Sequence, residues 1–346
     1  MGRYTLRRIL EALPVLFVVS ILLFVLMNSF GDPLAVLSRE PNRPTGAQLD
    51  VLRRQLGLDK PILTQYLYWL VGNDWTLIDA DGDGDVDEAL YGTRQGILRG
   101  DLGLSLVTRQ PVGERILERL PNTLILMIPV YIITLVLATG LGVVAALRQY
   151  SAADNLLTTI AYILRSMPVF FISLAMIFIF SVWFRQIGLP ATPTAGMYIL
   201  GEPQTPINLA RSMILPVMSL VLVSTAGYMR YVRASILDVM NHDYVRTARS
   251  KGISERRVFA LHVLKNAALP LVTLVGMDLP FILSGAAITE SIFAWPGMGR
   301  LFIESITASD FPVLMGILMM VAIAVVVFQL LADLVYGIVD PRISYR

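Results

Sequence analysis

The sequence predicts an all-α integral membrane protein, and three observations carry that prediction. The 346 residues are 55% hydrophobic with a mean hydropathy of +0.65, more apolar than a soluble domain of this size. About six apolar runs reach the ~20 residues that a helix needs to cross ~30 Å of hydrocarbon. Lys and Arg gather before the first run, after the last, and in one internal link, as in segments that share one side of a bilayer.

The runs lie near Ile9–Asn28, Thr123–Leu147, Leu157–Phe184, Ser212–Met229, Leu269–Ile288 and Pro312–Val335. The first follows Arg3, Arg7 and Arg8 in the manner of a signal peptide. It is long, however, and MNSFGDP after it offers no small-x-small cleavage pattern, so a retained helix over residues 1–30 is expected. The link at 230–268 holds Arg230, Arg233, Arg246, Arg249, Lys251, Arg256, Arg257 and Lys265 against Asp238, Asp243 and Glu255. With an even number of spans, this link and both termini fall in the cytoplasm by the positive-inside rule. Residues 31–121 then form a long, net acidic extracytoplasmic loop, and residues 122–346 hold the five remaining spans.

Several functions are disfavoured. A net charge of +2 gives no reason to expect nucleic acid. The absence of cysteine removes thiolate chemistry and disulfides, and His242 and His262 alone make a histidine triad or metal cluster implausible. No Gly-Lys dipeptide occurs, so a phosphate-cradling Walker A loop is missing. The expectation is a non-enzymatic chain that binds no cofactor of its own; any ATP it depends on sits on another subunit.

The basic link contains DYVRTARSKGISERRVFALHVLKNAALP, Asp243 to Pro270. Asn241 or Asp243 caps a helix through Tyr244, Val245 and Ala248 that stops at Gly252, with Lys251 at its negative end. Ser254 caps a second helix with Glu255 in its first turn. A first helix of about ten residues, ~15 Å, is marginal alone in water and must dock. Its Tyr244, Val245 and Ala248 side offers apolar contact; Arg246, Arg249 and Lys251 offer charge. The same pattern fits a solvated linker or a helix lying on anionic lipid.

This stretch resembles the cytoplasmic signature loop of ABC-importer permeases of the dipeptide/oligopeptide/nickel family. The likeness is carried by Asp243 to Arg249, Lys251-Gly252, His262, Asn266-Ala267 and Leu269-Pro270. Where the general importer signature begins Glu-Ala-Ala, this chain has Arg246, Thr247 and Ala248, as the peptide branch does. Family-like motifs run along the whole chain: YTLRRILEALPVLF at the start, GDP at Gly31–Pro33, LGLDKPILTQYLYWL at Leu56–Leu70, GDLGLS at Gly100–Ser105 and RLPNTL at Arg119–Leu124. SMPVFF follows at Ser166–Phe171, then ESIFAWPGMGRL at Glu290–Leu301, DFP at Asp310–Pro312 and DPRI at Asp340–Ile343. The resemblance implies a type I ABC importer permease fold in a bacterial or archaeal cell membrane, forming half of a translocation pathway for peptides or related solutes such as nickel chelates. It implies as partners a second, homologous permease, two ATP-binding subunits and an extracytoplasmic solute-binding protein. It makes Tyr244, Val245, Arg246, Thr247, Ala248, Arg249, Lys251 and Gly252 a coupling helix that takes force from an ATPase. The alternative, an ion-gradient-driven secondary transporter or channel, usually shows internal repeats, and none is clear here.

Two features stand outside that frame. Residues 71–99 insert VGNDWTLIDADGDGDVDEALYGTRQGILR where the family needs only a few residues. Its carboxylates Asp79, Asp81, Asp83, Asp85 and Asp87 resemble an EF-hand loop, with Gly84 at position six, although Leu90 replaces the bidentate Glu at position twelve. Calcium is the ion such a loop would take, at the weak affinity of extracellular modules; the alternative is a solvated acidic turn. If calcium binds, the purified protein will melt at a higher temperature in millimolar calcium than in chelator. Asp278 falls inside the fifth run, where a carboxylate costs ~2.5–3.5 kcal/mol to insert. It is expected to line the pathway or to meet a helix partner. Arg165 is expected to snorkel beside a kink at Pro168, Asp333 to be structural, and Trp295 to anchor the loop at the membrane surface or dip inward with it.

Overall fold

The computed structural model describes residues 2–29, 31–34, 37, 45–79, 91–199 and 201–339, and among them every extended regular element is helical. Six stretches are long and apolar enough to cross a membrane: Leu10–Ser29, Val112–Leu147, Val169–Gln186, Pro206–Met240, Leu274–Ile292 and Phe311–Leu331. The chain forms two compact units. Within the described residues, the first comprises residues 2–120 and 301–330, and the second residues 121–300 and 331–339.

In the first unit, α1 (Gly2–Ser29) meets α3 (Ile62–Val71) through a hydrogen bond of 2.7 Å between the hydroxyls of Ser20 and Tyr66. Phe24 packs its ring 5.5 Å from Tyr66 and 5.8 Å from Trp69. Between them, α2 (Gly46–Gln55) opens with a reciprocal capping box: Gln48 N–H donates to Thr45 Oγ1 and Thr45 N–H to Gln48 Oε1. The expected loop after the first span therefore contains two short helices. Asp32 of the GDP motif pairs with Arg53 of α2. α3 stops at Gly72, where φ is +103° and a Cβ would stand 2.5 Å from the Gln95 carbonyl oxygen, so no side chain fits.

The loop also ends sooner than residue 121, because α4 (Val112–Leu147) begins at Val112. At 36 residues it is about 54 Å long, well beyond the hydrocarbon thickness. The expected third span, Leu157–Phe184, is two helices. α5 (Ala152–Ser166) ends where Met167 turns extended, ψ +132°, as Pro168 biases its predecessor out of helical geometry. α6 then runs from Val169 to Gln186, with a wide π turn at Phe178–Trp183. α7 (Pro206–Met240) starts with Thr205 accepting from Asn208 N–H at 3.2 Å and proline at its first position.

The basic link folds as α8 (Asp243–Ser250), a turn at Gly252 with φ +76°, and α9. α9 opens at Glu255–Val258, passes a π turn at Phe259–Leu264 and continues as Lys265–Ser284. His242, rather than Asn241 or Asp243, occupies the N-cap of α8. The expected fifth span, Leu269–Ile288, is broken at Gly285 and Ala286, after which come α10 (Ala287–Ile292), α11 (Met298–Ala308) and α12 (Phe311–Val339).

Candidate functional site

α8 is seated by its own chain. Val245 and Ala248 are buried, at 0% and 5% exposure, against Val232, Ile236 and Val239 of α7 and Val258, Val263 and Ala267 of α9. The expectation that Val245 and Ala248 offer apolar contact to a partner is corrected: they hold the short helix in place, which is how eight residues stay helical. Tyr244, Arg246, Thr247, Arg249, Ser250, Lys251 and Gly252 remain exposed. Arg249 donates to Glu255 at 2.9 Å across the Gly252 turn, so the loop reaches the surface already shaped.

Above this loop, Arg233 of α7 grips Asp154 of α5 with two parallel bonds of 2.7 Å. Asp154 also accepts from Tyr150 N–H at 2.9 Å and Thr158 Oγ1 at 3.2 Å. These bonds, the Arg233 fork foremost, hold the Asp154 carboxyl down at about 2, against 3.8 for a free aspartate. A group depressed in the folded state stabilises fully above its unfolded value and loses that contribution as pH falls through its folded one. Acid titration is therefore expected to loosen the protein between pH 3.8 and about 2, and Asp154→Asn to remove that part of the response, read by circular dichroism.

Asp278 is half-buried and lines a cavity of about 240 Å³ together with Tyr131, Tyr228, Thr134 and Arg165. Tyr228 donates its hydroxyl to the Asp278 carboxylate, and Tyr131 donates to the Asp278 main-chain carbonyl at 3.1 Å. Both readings of this residue thus have a counterpart: it has a helix partner and it faces open space. Arg165 is exposed at the end of α5 and borders the same cavity.

The sequence motifs meet in pairs. RLPNTL joins AWPGMG: Trp295 donates its indole N–H to the Asn122 carbonyl at 2.8 Å, and Asn122 Nδ2 donates to the Pro296 carbonyl at 2.9 Å. Met298 N–H donates to Thr123 Oγ1 at 2.7 Å, and that hydroxyl donates to Glu290 at 3.0 Å. Trp295 is fully buried, so it is an internal post and not a surface anchor. Glu290, also fully buried, went unnoticed in the sequence; the glycines around it, Gly285, Gly297 and Gly299, were the available signal. In the first unit GDLGLS meets DFP, where buried Asp310 accepts from Ser105 Oγ and, at 3.1 Å, from Leu106 N–H.

Of the insertion, the base is ordered by Asn73, which accepts from Arg94 N–H at 3.0 Å, and by Arg99, which donates to Asp74 at 2.8 Å. That bond lowers the Asp74 carboxyl below the usual aspartate value. Asp79 is described, but Asp81, Asp83, Asp85 and Asp87 lie outside the described residues, as do the side chain of Asp333 and all of DPRI.

Residues 138–345 match the family of binding-protein-dependent transport system inner membrane components, and residues 1–127 match the N-terminal family of such membrane components. The chain belongs to this family. Among curated relatives of this permease, the oligopeptide transport system permease protein AppB of Bacillus subtilis is 37% identical, the match covering 100% of both chains. The dipeptide transport system permease protein DppB of Escherichia coli is 32% identical, again over 100% of both. Among solved structures, an inward-facing MetNI methionine ABC transporter aligns with a TM-score of 0.48 at 16% identity, over 65% of this chain and 96% of that one. An amino acid ABC transporter with histidines gives 0.45 and 16%, over 64% and 93%. The permease is a multi-pass inner-membrane subunit of an ABC importer.

Proposed function

We propose that this permease forms half of the translocation pathway of an ATP-driven importer for dipeptides, oligopeptides or related small solutes such as nickel chelates. Its companions are a second homologous permease, two ATP-binding subunits that carry the ATP, and an extracytoplasmic solute-binding protein. Both termini and α8 face the cytoplasm. The observation that carries the substrate class is the end-to-end likeness to AppB and DppB. The coupling role rests on α8: a short helix anchored through Val245 and Ala248, with Tyr244, Arg246, Thr247, Arg249 and Lys251 turned outward. A push on that face reaches α7 and α9 through one packed cluster. Asp278 is the pathway residue of this reading, since it fronts a cavity among the spans.

Ser250 is exposed on α8 and tests the assignment. A cysteine placed there is expected to crosslink to the ATPase subunit in assembled membranes, with a yield that changes between nucleotide-free and ATP-bound states. A crosslink that never forms, or uptake that continues on an ion gradient after the ATPases are removed, overturns it in favour of the gradient-driven reading.

A further inference from the structure

The cavity at Asp278 has a chemistry that coupling and family membership do not explain. Tyr228 occupies one oxygen of the carboxylate, and no Lys or Arg among the described residues pairs with it. A carboxylate at such depth is costly unless a partner or water compensates it. Arg165, on the lining of the same cavity, makes no ion pair among the described residues either. Thr134, 1% exposed and also on the lining, has a hydroxyl with no hydrogen-bond partner among the described residues. An adjoining space of about 510 Å³ shares Arg165, Gly227 and Tyr231 and adds Arg230 and Arg233. Arg233 is neutralised by Asp154, and Arg230 stacks 4.3 Å over the Tyr162 ring. Among the described residues, the lining therefore carries one carboxylate and one guanidinium that have no ion-pair partner.

We propose that this cavity is a way-station that binds both charged ends of a zwitterionic peptide. Asp278 takes the α-ammonium, with Tyr228 fixing the carboxylate and Tyr131 the backbone behind it. Arg165 takes the α-carboxylate as a forked guanidinium–carboxylate pair. The hydroxyl of Thr134 is left for a main-chain group of the peptide. This inference rests on the peptide reading of the importer.

The test is equilibrium binding of radiolabelled trialanine, N-acetyl-trialanine and trialanine amide to the purified complex of permeases and ATPases, without the solute-binding protein. Hydrogen bonds to charged groups predict that Asp278→Asn weakens trialanine about ten- to a hundredfold. Acetylation is expected to cost the wild type as much and the Asp278→Asn complex nothing further, while amidation still weakens binding to that variant, which shows the remaining site intact. Arg165→Gln is expected to show the converse coupling to amidation. Losses that simply multiply, or equal binding of all three ligands by the wild type, overturn the way-station. Uptake of dialanine, trialanine and longer alanine peptides by proteoliposomes, with the solute-binding protein added, is measured in parallel. Uptake with uncoupled binding losses overturns this site alone; no uptake of any peptide overturns the peptide reading and the site with it.

Discussion

Replacing Glu290 with alanine is expected to destabilise the permease by about 3–5 kcal/mol, because each buried donor left unpaired costs about 1–3 kcal/mol. Three donors lose their acceptor: Thr123 Oγ1 at 3.0 Å, Arg300 N–H at 3.0 Å and Ala286 N–H at 3.3 Å. They come from α4, from the start of α11 and from the break between α9 and α10, so one side chain closes three elements at once. Glu290→Gln keeps an acceptor oxygen but points an amide at the remaining donors, and an intermediate loss is expected. Gly297→Ala attacks the same place from outside, since its Cβ would sit 2.5 Å from both Glu290 Oε2 and Thr123 Oγ1. Thermal unfolding in detergent reads all three. An unchanged melting temperature for Glu290→Ala would mean that the buried network is not holding these elements.

Val245→Asp is expected to abolish uptake while leaving the protein in the membrane. Val245 has no exposure and sits among apolar groups of α7 and α9, with no cation among the cluster residues to receive a carboxylate. Burial of an unpaired charge costs several kcal/mol, more than an eight-residue helix can retain against water. α8 should leave its seat and lose its orientation. The measurement pairs co-purification of the ATPase subunits with transport, and both should fall by more than tenfold, a shift of about 1.4 kcal/mol or more. Arg246→Ala, exposed on the same helix, is expected to weaken association without unseating α8. If Val245→Asp retained full coupling, the packed cluster could not be the route by which force enters the spans.

The all-helical class and six spans were legible because apolar run length is a direct consequence of bilayer thickness. The α8 turn was legible too, through Gly252 and the Val245/Ala248 spacing. What the pattern did not reveal was which way that spacing faces, since an apolar stripe looks the same whether it meets its own chain or another. The third run misled for a related reason: Leu157 to Phe184 is apolar on average despite Arg165 and Ser166, and the break falls just after them, at Met167-Pro168. Glu290 was hidden in a motif read as a whole. Its meaning depends on Thr123, 167 positions away, and no local rule connects them. Asp278 was visible in the sequence as a carboxylate within an apolar run, but Arg165 as its cavity neighbour needed the fold.

The forked bond between Arg233 and Asp154 fastens α5 to α7, while the chain between α5 and α6 passes through two extended residues, Met167 and Pro168. When the lower part of α7 shifts, α5 is carried along as cargo. The slack is then taken up at Met167, whose extended backbone separates the last turn of α5 from the first turn of α6. The membrane segment that follows can stay moored in lipid while its neighbour swings.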